Sequence, residues 1–420
     1  MALGRYRRQV LRTVLAGALA AALVTPIAPA TPATAAPAPR RIVNAGWSSA
    51  SDFQAGTLQG VAVNRGGLVM DARVATRSYG GRRYDVAQWV SPWRSPGFDL
   101  TELIASWNAR TPGNSWIEVQ VRGRTGAGRT SSWDVLGRWA AGGKFIRRTS
   151  VPAQGDDLAG VNVDTWQTHT GIARWQLRVL LMRGQGAPSP RVDGIGAVAS
   201  RLPHVSGVAT SNPGPGPGIV LPVPRYSQMV HRGHYPRWGG GGEAWCSPTS
   251  TSMVLGRYDA LPPPRAYRWV PNGHVAPWVD YAARRTYDAS YRGTGNWPFN
   301  TAYAATLTHD AFVTRLRNLR EARSFIEAGI PLVASISFGA GQLNGAPISS
   351  SNGHLLVIVG FTAAGNDVVN DPAAASASGV RRTYDRGQFE DAWIPKSGGL
   401  VYVIRDGAHP LPAPARHSNW

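Results

Sequence analysis

Apolar and polar positions alternate along the first half of the chain and gather into longer blocks along the second, and this change of rhythm divides the molecule before any chemistry is considered. Trp116-Ile117-Glu118-Val119-Gln120-Val121-Arg122 alternates with a period of two, and Trp175-Gln176-Leu177-Arg178-Val179-Leu180-Leu181 does so with one break. Successive side chains of a strand point to opposite faces, so both stretches predict half-buried strands. Shorter apolar runs such as Gly60-Val61-Ala62-Val63 and Leu103-Ile104-Ala105-Ser106-Trp107 are set apart by Gly, Pro and Asn turns. That spacing predicts an all-β sandwich of jelly-roll type from about Arg41 to Leu202.

The second half mixes periods. A helix is expected to open at the Cys246 segment, another around Ala276 to Tyr287, and a third from Leu319 to Ala328, leading through Gly329-Ile330-Pro331 into a strand Leu332 to Phe338. Further strands are expected at His354 to Phe361, Asn366 to Asn370 and Val380 to Tyr384, then a short helix Arg386 to Trp393 and a final strand Leu400 to Ile404. Helices first and a mostly antiparallel sheet afterwards make an α+β domain over residues 221–405. Between the halves lies Asn212-Pro213-Gly214-Pro215-Gly216-Pro217-Gly218, which sustains neither helix nor central strand. Residues 203–220 are therefore read as a Pro/Gly linker, exposed and with few contacts, and residues 406–420 as a C-terminal tail.

The 420 residues, 43% hydrophobic and only 16% charged, supply enough apolar material for two folded cores. Nine of the sixteen tryptophans fall in the first half, most expected in its core; exposed ones near Ser91-Pro92-Trp93-Arg94-Ser95-Pro96 would offer a face for stacking on sugar rings. The formal net charge is +20, carried almost wholly by arginine, since only Lys144 and Lys396 are lysines. Such a surface draws polyanions, an anionic cell-wall polymer among them. With no nucleic-acid motif and no compact basic block, nucleic acid is excluded as a partner.

Arg5, Arg7, Arg8 and Arg12, the apolar run Val14 to Val24 and the small-residue stretch Ala33-Thr34-Ala35 have the order of an export signal over residues 1–35. Arg7-Arg8-Gln9-Val10-Leu11-Arg12 also fits a twin-arginine pattern, leaving the export route open between that and the general one. No other apolar run approaches the length of about 18 to 20 residues that spans a bilayer, so the mature protein is expected outside the cell, soluble or wall-associated.

Cys246 is the only cysteine, so no internal disulfide forms. It stands in Gly242-Glu243-Ala244-Trp245-Cys246-Ser247-Pro248-Thr249-Ser250, with Ser247 a plausible N-cap and Pro248 suited to a first helical turn. Unpaired amide N–H groups converge there, an environment that favours a thiolate. A thiolate hydrolase also needs a base that protonates the leaving group. His354, following Gly353 and opening the strand Leu355-Leu356-Val357-Ile358-Val359-Gly360, is the best placed of nine histidines. Asp371, at the end of the next strand, lies within reach to hold its ring, whereas Asn370, one residue earlier, faces the opposite way. His231 and His234 suggest a metal pair but lack further ligands at useful spacing, so no metal or cofactor is expected. Glu243 reads as a loop charge.

Trp245-Cys246-Ser247-Pro248-Thr249-Ser250, then Gly353-His354 before an apolar strand, then Asn370-Asp371-Pro372, together resemble the signature of papain-like cysteine peptidases. The resemblance is closest to the bacteriocin-processing double-glycine peptidases (cysteine peptidase family thirty-nine) and their secreted actinobacterial relatives, over roughly Leu221 to Arg405. It implies a papain-like domain with Cys246 as nucleophile, His354 as general base and acid, Asp371 as the orienting residue, and Gln228 as an oxyanion donor. Two departures stand out: residues His231 to Ala244 intervene between that glutamine and the cysteine, and Cys246-Ser247-Pro248 replaces a Cys-Gly-Pro sequence. No transporter portion is present, so leader cleavage coupled to export is not implied. The first half resembles the domain that precedes the peptidase in those secreted proteins. A peptide or cell-wall peptide is the implied substrate. A catalytically silent wall- or sugar-binding protein and a transglutaminase-like acyl transferase are the competing classes.

Overall fold

The computed structural model describes residues 39–155, 157–308, 310–414 and 418–420. The export signal read at residues 1–35 lies outside the described residues. Three antiparallel sheets organise the rest. In the first half, one seven-stranded sheet is centred on Leu100–Arg110 and Arg191–Arg201, paired with Trp107 opposite Ile195. A second seven-stranded sheet is centred on Ser115–Arg124 and Arg174–Gly184, with Val119 opposite Val179. Leu103 and Trp107 from one sheet and Ile117, Val121 and Leu177 from the other share a single buried cluster. Alternation thus sends these side chains inward.

The outward face of the second sheet is not open to water, however. Trp116 and Glu118 on Ser115–Arg124 are fully buried too, so the half-burial expected from alternation is corrected. Tyr84, Ile146 and Met182 cover Trp116, while Arg77 and Arg138 hold the buried Glu118 carboxylate at 2.8 and 2.7 Å. The Glu118 carboxylate is thus paired rather than solvated, which is what allows a buried charge there.

Seven of the nine tryptophans in this half are fully buried. Trp93 and Trp133 are half-buried, and their ring faces are taken: Arg122 lies over both, at 5.1 and 4.5 Å, and Arg178 over Trp133 at 4.3 Å. The sugar platform expected near Trp93 is thus not a free ring, because Arg122 and Arg124 already lie over it.

The third sheet belongs to the second half and runs Asp310–Arg315, Leu400–Arg405, Leu332–Phe338, Ser351–Phe361, Asp367–Asn370, Arg381–Tyr384, with Ile219–Val220 added alongside Ser351–Phe361. Helices Cys246–Arg257, Pro277–Thr286 and Trp297–Thr308 pack together, the first also against Ser351–Phe361. The Cys246 helix is buried from Ser247 to Leu255. Its many hydroxyls survive burial by bonding inward, as Ser252 Oγ does to the Pro248 carbonyl at 2.8 Å.

Helix Trp297–Thr308 and strand Asp310–Arg315 bind the halves to each other. Phe299 and Ala302 enter the first half's core, with the Phe299 ring 6.1 Å from Trp107. Ile42, Ile104 and Val198 enter the second half's core in return. Arg315 pairs with Glu102 at 2.6 Å, and the Val313 amide donates to Ser106 Oγ at 2.8 Å. The Pro/Gly segment, expected to carry few contacts, is strapped down instead. Arg323 donates to the Pro217 carbonyl at 2.9 Å, Arg386 Nε to the Ser211 carbonyl at 2.7 Å, and the Ser211 amide donates to Glu390 at 2.6 Å. Near the C-terminus, Asn419 is fully buried and donates to the Arg315 carbonyl at 2.8 Å.

Candidate active site

The sharp bend before the Cys246 helix is built from glycine. Gly241 has φ of 113°, and Gly242 packs so tightly on the His231 carbonyl that a Cβ has no room there. Cys246 is the first helical residue, with Trp245 at the cap. The expected cap, Ser247, instead lies inside the first turn, buried, its hydroxyl 2.9 Å from that of Tyr402. Amides of a first helical turn have no intrahelical acceptor, so Cys246 still stands on the positive end of the helix. Its side chain is partly exposed.

His354 lies within strand Ser351–Phe361, three residues after its start rather than at its opening, and is almost fully buried. Ser250 Oγ, one turn along the Cys246 helix, donates to the Leu355 carbonyl at 3.0 Å and so ties the helix to the residue after the histidine. Asp371 follows strand Asp367–Asn370 and meets His354 Nε2 at 2.7 Å through Oδ1. Its carboxylate is saturated with donors: the Ala373 amide reaches Oδ1 at 3.0 Å and the Tyr384 hydroxyl reaches Oδ2 at 2.7 Å. Asn370 points elsewhere, donating to the Pro224 carbonyl at 3.0 Å and accepting from Arg381.

Burial opposes a charged His354, but the Asp371 carboxylate and then the Cys246 sulfur outweigh it, and the imidazolium pKa is pushed up to about 10. Burial likewise works against the Asp371 anion; the facing imidazolium and the Tyr384 and Ala373 donors overcome it and hold the carboxyl below its ordinary range. With Nε2 committed to Asp371, Nδ1 is the ring nitrogen left for the sulfur.

The first half matches the Peptidase C39 N-terminal domain over residues 43–200, and the second matches the Peptidase_C39 like family over residues 220–400. Both halves thus match models of the C39-like peptidase group. A crystal structure named as a C39-like peptidase from Bacillus anthracis is similar at 15% identity with a TM-score of 0.30, over 45% of this chain and 98% of that one. Among curated proteins the search found no match.

Gln228 is buried between the two arms of the site. Its amide N–H donates to the Pro372 carbonyl at 2.8 Å, beside Asp371, and its side-chain Nε2 donates to the Glu243 carbonyl at 2.5 Å, just before Cys246. All four residues named from the sequence, Gln228, Cys246, His354 and Asp371, thus gather at one cleft, Asp371 as its buried floor. The Glu243 carboxylate, exposed, only accepts from the Gly233 amide at 2.9 Å. Tyr384 is the partner that sequence reading missed; its strand was expected, but only the fold brings its hydroxyl under Asp371. The first half also contributes to the cleft through Asn162, Asp164 and Thr165. Asp164 caps helix Trp297–Thr308 by accepting from the Trp297 amide at 2.9 Å, and burial pushes its carboxyl up to about 7. No helix among the described residues is long and apolar enough to cross a membrane.

Proposed function

We propose that this protein is an exported cysteine peptidase or amidase of papain-like architecture with a β-sandwich accessory domain, acting through Cys246, His354 and Asp371. What carries the reading is the His354 Nε2 to Asp371 hydrogen bond of 2.7 Å beneath a cysteine at the start of a helix. The Cys246 thiolate attacks the scissile carbonyl carbon, and the carbonyl oxygen takes up the negative charge. The Cys246 backbone N–H and the second hydrogen of the Gln228 amide stabilise that oxyanion. Collapse of the tetrahedral adduct breaks the C–N bond, His354 gives its proton to the departing amine, and a thioester remains. Water then loses a proton to His354 and adds to the thioester, releasing the acid and restoring thiolate and imidazolium. An amine entering in place of water gives acyl transfer instead.

The test is turnover of a mixed peptide library, with and without added amine, read by mass spectrometry. Cleaved peptides that vanish in Cys246→Ser support the hydrolase; amine adducts without cleavage favour the transferase. No product with either, alongside slow alkylation of Cys246 by iodoacetamide below pH 8, overturns the catalytic reading in favour of a binding protein. Export rests on the residue order at 1–35, and N-terminal sequencing of secreted material is expected to start after about Ala35; an intact Met1 on cytoplasmic protein overturns it.

A further inference from the structure

The residues that separate Gln228 from Cys246 hold a second cluster. His231 and His234 lie on the turn that follows Gln228, and Asp280, from helix Pro277–Thr286, reaches between them. One carboxylate oxygen of Asp280 is 2.9 Å from His234 Nδ1 and the other 3.0 Å from His231 Nδ1. All three ligand atoms lie within 4.8 Å of one another. The second contact lacks hydrogen-bond geometry: among the described residues neither ring nitrogen of His231 nor Asp280 Oδ2 has a hydrogen-bond partner, although both side chains are fully buried. Leaving an imidazole and a carboxylate oxygen unbonded in the interior leaves their desolvation uncompensated. A shared cation would satisfy His231 Nδ1 and Asp280 Oδ2 together.

We propose that His231, His234 and Asp280 form a binding site for a divalent transition-metal ion, with zinc the ion that suits two imidazoles and a carboxylate. The ligand type decides the class, because hard cations such as calcium and magnesium take oxygen sets. Zinc held by three side chains keeps a fourth position for water, and His234, 20% exposed, is the side from which it enters. A bound ion pins the loop from His231 to Ala244 to helix Pro277–Thr286. Gly242 rests on the His231 carbonyl, and Trp245, the cap of the Cys246 helix, packs its ring 6.2 Å from that of His231. The metal thus holds the approach to Cys246, and its existence does not depend on the peptidase reading.

The experiment uses the full chain, dialysed with chelator and titrated with zinc or cobalt(II). About one equivalent of zinc is expected in the wild type and in Cys246→Ala, with a visible cobalt d–d spectrum and a melting temperature that rises on zinc addition. His234→Ala and Asp280→Asn are expected to lower affinity at least tenfold. If a variant does not fold, the wild-type titration and the Cys246→Ala control decide. Absence of zinc binding and of any melting shift in the wild type overturns the site, as does undiminished binding in folded His234→Ala. Loss of the metal in Cys246→Ala overturns it too, by assigning the ion to the Cys246–His354 pair. Zinc bound without peptide turnover leaves the site standing while the peptidase reading falls.

Discussion

At the scale of single residues, the balance of forces on His354 fixes the pH response. Its folded pKa lies above that of a free histidine, so the ion pair's contribution to stability is complete below about pH 6.5 and is lost as pH rises through about 10. Asp371 moves the other way: its contribution is present above the ordinary carboxylate range and is lost on acidification. Both signs describe one pair, and they predict turnover that falls at each extreme. Asp371→Asn leaves burial, the largest influence on His354, opposed only by the sulfur. An NMR titration of that variant is expected to find the imidazole pKa well below 10. Tyr384→Phe removes one charge-assisted hydrogen bond, worth about 1.5–3 kcal/mol. Lower kcat with unchanged KM is expected, and a lesser fall in the His354 pKa distinguishes positioning from general damage. Cys246, His354 and Asp371 were legible in the sequence because each sits in a short local motif. Tyr384 and Asp280 were not, since a tyrosine on a strand and an aspartate on a helix carry no local mark of the partner that the fold supplies.

Among the elements, those with one dominant period were read correctly: strand Leu332–Phe338 and helix Leu319–Glu327 fall where the pattern put them. Helix Trp297–Thr308 escaped because it is buried nearly all round, between two cores, and so has no polar stripe to mark it. The Asn296 side chain accepting from the Phe299 amide at 3.0 Å is the local sign of its start. How the Cys246 helix is anchored yields two predictions. Ser250→Ala deletes the hydroxyl that holds the helix to Leu355, so a loss of about 1 kcal/mol in urea unfolding is expected, with a larger proportional fall in kcat than in KM. Gly242→Ala drives a methyl group into the His231 carbonyl and is expected to displace the loop before the cysteine, visible as lost turnover in a chain that still unfolds cooperatively.

For the whole molecule, the sequence marked the Pro/Gly segment as a seam, but it could not reveal that apolar side chains cross on either side of it. Phe299 and Ala302 complete one core, while Ile42, Ile104 and Val198 complete the other. Phe299→Ala removes a buried ring from the shared boundary, and a loss of about 3–5 kcal/mol is expected by denaturant unfolding. Scanning calorimetry of residues 38–420 is expected to record one transition for both halves rather than two; separate transitions would refute mutual dependence. The exchange of core residues also bears on how such a chain changes over generations. Shuffling the second half onto a foreign neighbour would strand its apolar boundary in water and leave holes where Ile42, Ile104 and Val198 had been. Recombination at this seam would therefore expose both cut faces, and each half is expected to tolerate change at the boundary only as far as the other's packing allows.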